Sequence, residues 1–327
     1  MSTEDANFIT AEIVISEKNI NKDIRILNSY EEFLKTAPKY FSKDESNNNE
    51  EEIKMCEIKI NDKSIPFSYL HKFDSKGAYT IKYLFKNKIA NLAFIFAKCN
   101  KITKIDLSKF NTINVTNMMG MFYECSSLES IDLSNINTSN VTDMNRMFAD
   151  CCSLTSINLS NFNTCNVTDM SNMFYRNQSL TNVDLSNFDT RNVIYMDNMF
   201  SECSSLISVN LSSFNTSNVI DMCKMFNYCS SLTSVNLSSF DTSNVTDMSS
   251  MFDNCVSLTE INLANFITNN VTDMNAMFYE CTSLTKVDLS NFDMTNVTDM
   301  NCMFGACKST LNIIAKDKKL LDDKQTS

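Results

Sequence analysis

Leucine returns at Leu128, Leu154, Leu180, Leu206, Leu232, Leu258 and Leu284, always 26 residues apart, and Ile102 takes the same phase one step earlier. A Met-Phe pair keeps the same period from Met121-Phe122 to Met303-Phe304, in eight copies. The unit reads L-x-x-[IV]-[ND]-L-S-x-F-[ND]-T-x-N-V-x-x-M-x-x-M-F-x-x-C-x-S. One such unit has too few apolar positions to offset the entropy of ordering it, so neighbouring units must cover each other's faces. Within a unit, "SLTSVNLSSF" (Ser231–Phe240) places apolar residues at Leu232, Val235 and Leu237 and predicts a short strand. "SNVTDM" (Ser243–Met248) predicts a second, weaker extended piece. "DMSSMFDNC" carries apolar residues at Met248, Met251, Phe252 and Cys255, which predicts one face of a short helix with Asp247 as its N-cap.

The pattern predicts an α/β solenoid: parallel β-sheet coils with short helices, preceded by a small α+β cap. We divide the chain into an α+β N-terminal cap (1–73), a degenerate capping coil (74–101), eight coils (102–309) and a closing strand with a charged tail (310–327). In the degenerate copy, Ile81, Leu84, Ile89, Leu92, Ile95-Phe96 and Cys99 fall on the Leu, Phe, Val, Met, Met-Phe and Cys phases. "LNIIAKD" (Leu311–Asp317) reads as the closing strand. In the cap, "FITAEIVIS" and "DIRIL" read as strands, and "SYEEFLKTAPKYF" as a short helix opened by a Ser29/Glu32 capping box. "SKDESNNNEEE" (Ser42–Glu52) reads as an acidic loop. The stretch around Asn61-Asp62 reads as a hairpin whose Pro66 belongs on a sheet edge.

Charge changes this picture in one respect. Residues 1–101 carry 16 Lys/Arg against 15 Asp/Glu, residues 102–309 carry 8 against 21, and the last eighteen carry 4 against 3. The acidity thus belongs to the array, which suits a basic partner or simply keeps the protein soluble, and argues against nucleic acid there. One His (His71), no Trp, no Gly-rich phosphate loop and no G-x-S-x-G leave no visible catalytic constellation. We therefore expect no enzyme, no cofactor and no metal site. No apolar run reaches the ~20 residues that span a bilayer, and no secretory leader or anchor is visible, so a cytoplasmic location is expected.

The copies that read like "SLTSVNLSSFDTSNVTDMSSMFDNC" (Ser231–Cys255) resemble the BspA-type leucine-rich-repeat family over roughly residues 80–309. The resemblance implies leucine-rich-repeat-like parallel coils, and a cell-surface adhesin as the alternative in function and location.

Several columns run through the array. Asn114, Asn140, Asn166, Asn192, Asn218, Asn244, Asn270 and Asn296 precede Val in every copy and are expected to form a buried structural ladder; six open an N-V-T sequon, read as a by-product. Cys99, Cys125, Cys151, Cys203, Cys229, Cys255, Cys281 and Cys307 are expected to be small buried hydrophobes, with Asn177 the exception. The other cysteines follow no phase and suggest a reducing compartment. Asp143, Asp169, Asp221, Asp247, Asp273 and Asp299 are expected to cap helices rather than to bind calcium, the column being broken by Asn117 and Tyr195. A Thr column from Thr112 to Thr268 is expected to pack inward, unlike an ice-binding row.

The outward strand face should carry Ser130/Asp132, Ser156/Asn158, Asn182/Asp184, Ser208/Asn210 and Ser234/Asn236, the candidate partner face. Irregular positions are Tyr123, Tyr175, Arg176, Arg191, Tyr195, Tyr228 and Tyr279. The expected function is a non-enzymatic protein-interaction scaffold with a protein partner, no nucleic acid and no membrane span; the alternative is a surface adhesin that binds host or extracellular protein or glycan.

Overall fold

The structure, a computed structural model, describes residues 7–39, 41 and 43–321. The first six residues of the cap and residues 322–327 of the charged tail therefore lie outside the described residues, as do Tyr40 and Ser42. The chain forms two compact units, Met1–Asn163 and Thr164–Ser327.

In the first unit, strand β1 (Phe8–Ile15) is followed by β2 (Asp23–Arg25), α1 (Tyr30–Leu34), α2 (Glu50–Lys54), β3 (Glu57–Ile60), β4 (Lys63–Ile65), β5 (Leu70–Lys72) and β6 (Gly77–Leu84). The hairpin turns at Asn61 and Asp62, both at positive φ (47° and 63°), and β4 leads to Pro66 from the sheet edge. Ser29 caps α1 by accepting the Glu32 N–H. The Glu32 carboxylate does not return to Ser29; it pairs with Arg25 and Lys35. The acidic segment read as a loop folds into a 3-10 turn (Glu45–Asn47) and then α2, whose first turn carries Glu50, Glu51 and Glu52. Carboxylates at a helix N-terminus meet its unpaired N–H groups, which explains the departure. Buried Asn49 fixes this segment, accepting from Tyr30 N–H and donating to Asn91 and Ala93 carbonyls.

The degenerate coil is a hybrid. Its strand half is β6, which pairs antiparallel with β1 and β3 and so belongs to the cap. Its second half behaves as a coil: Leu92, Phe94 and Phe96 donate N–H groups to Asn117, Met119 and Met121. The first full coil supplies β7 (Ile102–Asp106), antiparallel to β1 on one side and parallel to β8 (Ser130–Asp132) on the other. One six-stranded sheet, in the order β4-β3-β6-β1-β7-β8, thus carries cap strands into coil strands, and β1 covers the edge that the first coil would leave open. Phe33 of the cap stacks on Phe94 at 4.1 Å, and that ring leaves no room for a Cβ at Gly120, where an added carbon would lie 2.3 Å from it.

The predicted short helices are absent from the coils; in their place each coil has a ribbon of turns. Around Met248–Cys255, the N–H groups of Met248, Ser250, Phe252 and Asn254 donate to carbonyls of Asp273, Asn275, Met277 and Tyr279 in the next coil. Those of Met251, Asp253 and Cys255 close turns onto Met248, Ser250 and Phe252. Ser250 and Asn254 sit at φ 53° and 57°. Left-handed residues four apart prevent a continuous helix. The gain is hydrogen bonding: alternate N–H groups reach the neighbouring coil, which a helix would have kept for itself. The same alternation runs through the first unit, with Gly120 and Glu124 left-handed.

The Met and Phe columns from Met118 to Phe304 lie inside, except for half-buried Met300 in the last coil, and Phe rings of successive coils stack nearly parallel, as in Phe200–Phe226 at 5.6 Å and Phe252–Phe278 at 5.5 Å. The strand side is sparser: in the second unit β9 (Asn182–Asp184) pairs parallel with β10 (Ser208–Asn210), and β11 (Lys286–Asp288) with β12 (Asn312–Ile314), where the closing strand was expected.

Candidate partner surface

All ten residues of the predicted partner face, Ser130, Asp132, Ser156, Asn158, Asn182, Asp184, Ser208, Asn210, Ser234 and Asn236, are exposed. The short strands put their alternate residues, such as Val183, into the core and leave Asn182 and Asp184 outside. Asp132 and Asp184 accept the N–H of Ser134 and Ser186, two residues on, at 2.8 and 3.0 Å. Hydrogen bonds from those serines hold both carboxyls below the usual Asp range, and Asp288 is held down the same way by Ser290. The face therefore presents fixed negative charges among small hydroxyls and amides.

The ladder columns explain how coils are joined. Asn140, Asn192, Asn218, Asn244, Asn270 and Asn296 donate their amides to a carbonyl 27 residues back, at 2.6–2.8 Å. Their expected burial is wrong: these side chains are exposed, because the Val that follows takes the inward position. Thr hydroxyls go further. Thr242, fully buried, donates to the Ile267 carbonyl and accepts the Ile267 N–H, both at 2.8 Å. Thr112, Thr138, Thr164, Thr190, Thr216 and Thr268 repeat this double bond to the next coil.

The phased cysteines are more than small hydrophobes. Cys229, Cys255 and Cys281 each donate S–H to a Phe carbonyl of the preceding coil at 3.1 Å. Burial pushes the thiols up, Cys203 to about 12, so they stay protonated donors. The Asp column does not cap helices, since the coils have none; Asp247 and Asp273 instead accept the N–H two residues on, at 2.8 Å. Desolvation pushes Asp221 up to about 6, reinforced by Asp197 and Asp247. Ligand atoms of Asp221, Cys223 and Asp247 lie within 4.8 Å of one another. Ser249 Oγ already lies within hydrogen-bond distance of both groups, donating its one proton to Asp247 at 2.6 Å with the Cys223 sulfur at 3.2 Å, and burial holds the Cys223 thiol up at about 11.

The irregular residues disperse. Tyr123 is buried against Phe33 and Phe94 of the cap side, not offered to a partner. Tyr175 and Arg176 both engage Glu202, at 2.9 and 3.2 Å. Arg191 pairs with Asp189 at 2.8 Å. Tyr195 and Tyr228 are exposed, and Ile194 and Ile220 form a shallow groove with Asn166, Thr168, Asn192 and Asn218. His71 packs edge-on against Phe73, and burial lowers its pKa. A cleft that sequence patterning did not single out lies between the cap and the first coils of the first unit. No helix among the described residues is long and apolar enough to cross a membrane.

Stacked parallel coils joined by backbone and side-chain ladders define a repeat solenoid. The chain belongs to the family described as Mycoplasma protein of unknown function, DUF285, whose model matches residues 90–210 and again 205–316. This family fits the BspA-type repeat that the sequence resembles. The fold is similar to a leucine-rich repeat protein from Eubacterium ventriosum ATCC 27560, at 18% identity and TM-score 0.39 over 59% of this chain and 57% of that one. It is also similar to a leucine rich cell surface protein from Faecalibacterium prausnitzii A2-165, at 14% identity and TM-score 0.23 over 70% and 80% of the two chains. The chain thus spans little more than half the length of the first of these. No curated protein matches the chain.

Proposed function

We propose that the protein is a non-enzymatic scaffold that binds a protein partner through the outward strand face of its coils. The observation that carries this reading is the periodic exposure of that face. Packing accounts for the Met, Phe, Thr and Cys columns, whereas the ten strand-face residues make no contribution to the core. Carboxyls held ionised at Asp132, Asp184 and Asp288 suit a partner that is basic and polar. Polar repeat surfaces of this kind gain affinity by engaging several coils at once rather than from one aromatic hot spot.

The test is capture from native cells with the full chain, beside a variant with Asp184→Lys and Asn210→Lys. The variant should fold normally and lose the captured protein. An unchanged set of captured proteins rejects the strand face as the binding surface. Display at the cell surface is the second reading; it rests on what the BspA-type resemblance implies. Protease treatment of intact cells should then remove the protein, and full protection places it inside.

A further inference from the structure

The cleft between cap and first coils has a volume of about 1080 Å³ and lies wholly within the first unit. That exceeds the several hundred Å³ typical of a small-molecule site, and leaves room for an extended ligand. Its wall is unlike the acidic array. Lys86, Lys88 and Lys109 are exposed along it, against one carboxylate, Glu57, which already pairs with Lys59. Among the described residues none of these three lysines has an ion-pair partner.

Two departures from the repeat concentrate here. Lys109 occupies a column that is otherwise Asn135, Asn161, Asn187, Ser213, Ser239, Asn265 and Asn291, and it alone is charged. Later members of that column reach back to the preceding coil, as Asn135 does to Ser108 O and Asn161 to Ser134 O. Lys109 has no complete coil behind it and faces the cleft instead. Asn114 is the first rung of the exposed amide ladder, and it too lines the cleft. Unlike the rungs from Asn140 on, its carboxamide makes no hydrogen bond among the described residues, and neither does that of Asn87 opposite. Phe8 adds a half-buried ring with the Lys82 ammonium held 3.7 Å from its centroid.

We propose that this cleft is a binding site for an acidic oligosaccharide. Lysines pair with its carboxylates, the unengaged amides of Asn87 and Asn114 bind its hydroxyls, and Phe8 meets a sugar face. A carboxamide offers donors and an acceptor together, which matches a hydroxyl that is both. Nucleic acid fits less well. The wall has no Arg to fork onto phosphate, and Phe85 and Phe110 are buried, so successive bases have no stacking platform. This site shares no residue with the strand face, so either proposal can fail alone.

The test is calorimetric titration of the full chain with a hyaluronan tetrasaccharide, beside neutral, fully N-acetylated chitotetraose and a uridine octamer. Hyaluronan should bind at least tenfold more tightly than chitotetraose. Lys109→Asn, which restores the residue of the other coils, should weaken it about fivefold, and Lys88→Gln with Lys109→Asn at least tenfold. Lys224→Gln, and Asp184→Lys on the strand face, should leave it unchanged. No hyaluronan binding, equal binding of chitotetraose, tighter binding of the octamer, or indifference to the Lys88/Lys109 pair overturns the proposal.

Discussion

Aspartate occupies two regions of the same coil and behaves in opposite ways. On the strand side, Asp132, Asp184 and Asp288 are solvated and receive hydrogen bonds from a serine two residues on, which lower their pKa. On the turn ribbon, Asp221 and Asp273 accept the same kind of N–H, yet burial dominates and raises theirs. The local turn is alike in both; what differs is desolvation and the like charges stacked above and below. The strand side therefore keeps charge available for a partner, while the ribbon uses its polar groups to join coils. Substitutions that address one side should leave the other almost untouched.

The largest contrast is in stability. Phe226 is fully buried between Phe200 and Phe252, so Phe226→Ala should cost about 3–5 kcal/mol, whereas exposed Ser234→Ala should stay within about 0.5 kcal/mol. Urea unfolding of the full chain measures both, and comparable losses would erase the distinction between the two sides. Thr242→Val comes next. It preserves shape but removes both hydrogen bonds to the backbone of Ile267, an exposed residue whose N–H and carbonyl water can partly reach, so the loss should be about 1–2 kcal/mol. A loss no larger than that of Ser234→Ala would mean that the Thr hydroxyls do not join coils.

How legible each side was follows from what periodicity encodes. The phase of Leu, Met, Phe and Cys fixes which residues face inward, so the buried columns and the exposed strand face could be read directly. The spacing of Met248, Met251, Phe252 and Cys255 fits a helix equally well as a ribbon of turns, because both bring these side chains to one face. The choice is made by backbone bonds to the next coil, which lie outside any single unit. Left-handed φ at Ser250 and Asn254 left only a faint signal, since neither is Gly. The Asn ladder is exposed rather than buried for a related reason: uniformity across copies marks a shared inter-coil bond, and that bond can sit at the surface. The cleft is not legible from periodicity because it depends on which coil has no complete neighbour, and its one trace in the sequence is Lys109, which breaks its column.

The ribbon carboxylates give a smaller effect of opposite sign. Asp221 has an ordinary pKa of 3.8 when unfolded and about 6 when folded, so folding favours its protonated form. That contribution is fully present below pH 3.8 and is lost as pH rises through about 6. The raw shift corresponds to about 3 kcal/mol, and partial exposure with solvent screening reduces it to about 1–2 kcal/mol. Asp221→Asn keeps an oxygen for the Cys223 N–H, as Asn117 does for Met119 in the same column. It should therefore stabilise the protein at pH 7.5 and make little difference near pH 4. Strand-face Asp184→Asn should show no gain at pH 7.5, since its folded pKa is lowered. Unfolding curves at the two pH values decide this, and a loss of stability in Asp221→Asn at pH 7.5 would contradict the burial argument.

The smallest effect concerns the thiols, and it separates packing from hydrogen bonding within the ribbon itself. Cys255 donates to Phe226 O, and Cys255→Ala removes both that donor and a sulfur-sized volume, whereas Cys255→Ser keeps a donor in less space. A net hydrogen bond is worth about 1 kcal/mol, so Ser should recover part of the loss caused by Ala if the S–H bond matters. Desolvation of a hydroxyl works against that recovery, and a Ser variant less stable than the Ala variant would assign the column to packing alone. Labelling by a maleimide gives an independent reading of the same chemistry. Cys302 is exposed, whereas Cys229, Cys255 and Cys281 are buried with thiols pushed upward. Cys302 should react first in the folded chain, and the column only on unfolding. Equal rates at Cys302 and Cys255 would show that the ribbon opens often enough to expose its interior, and would remove the contrast between a sealed ribbon and an open strand face.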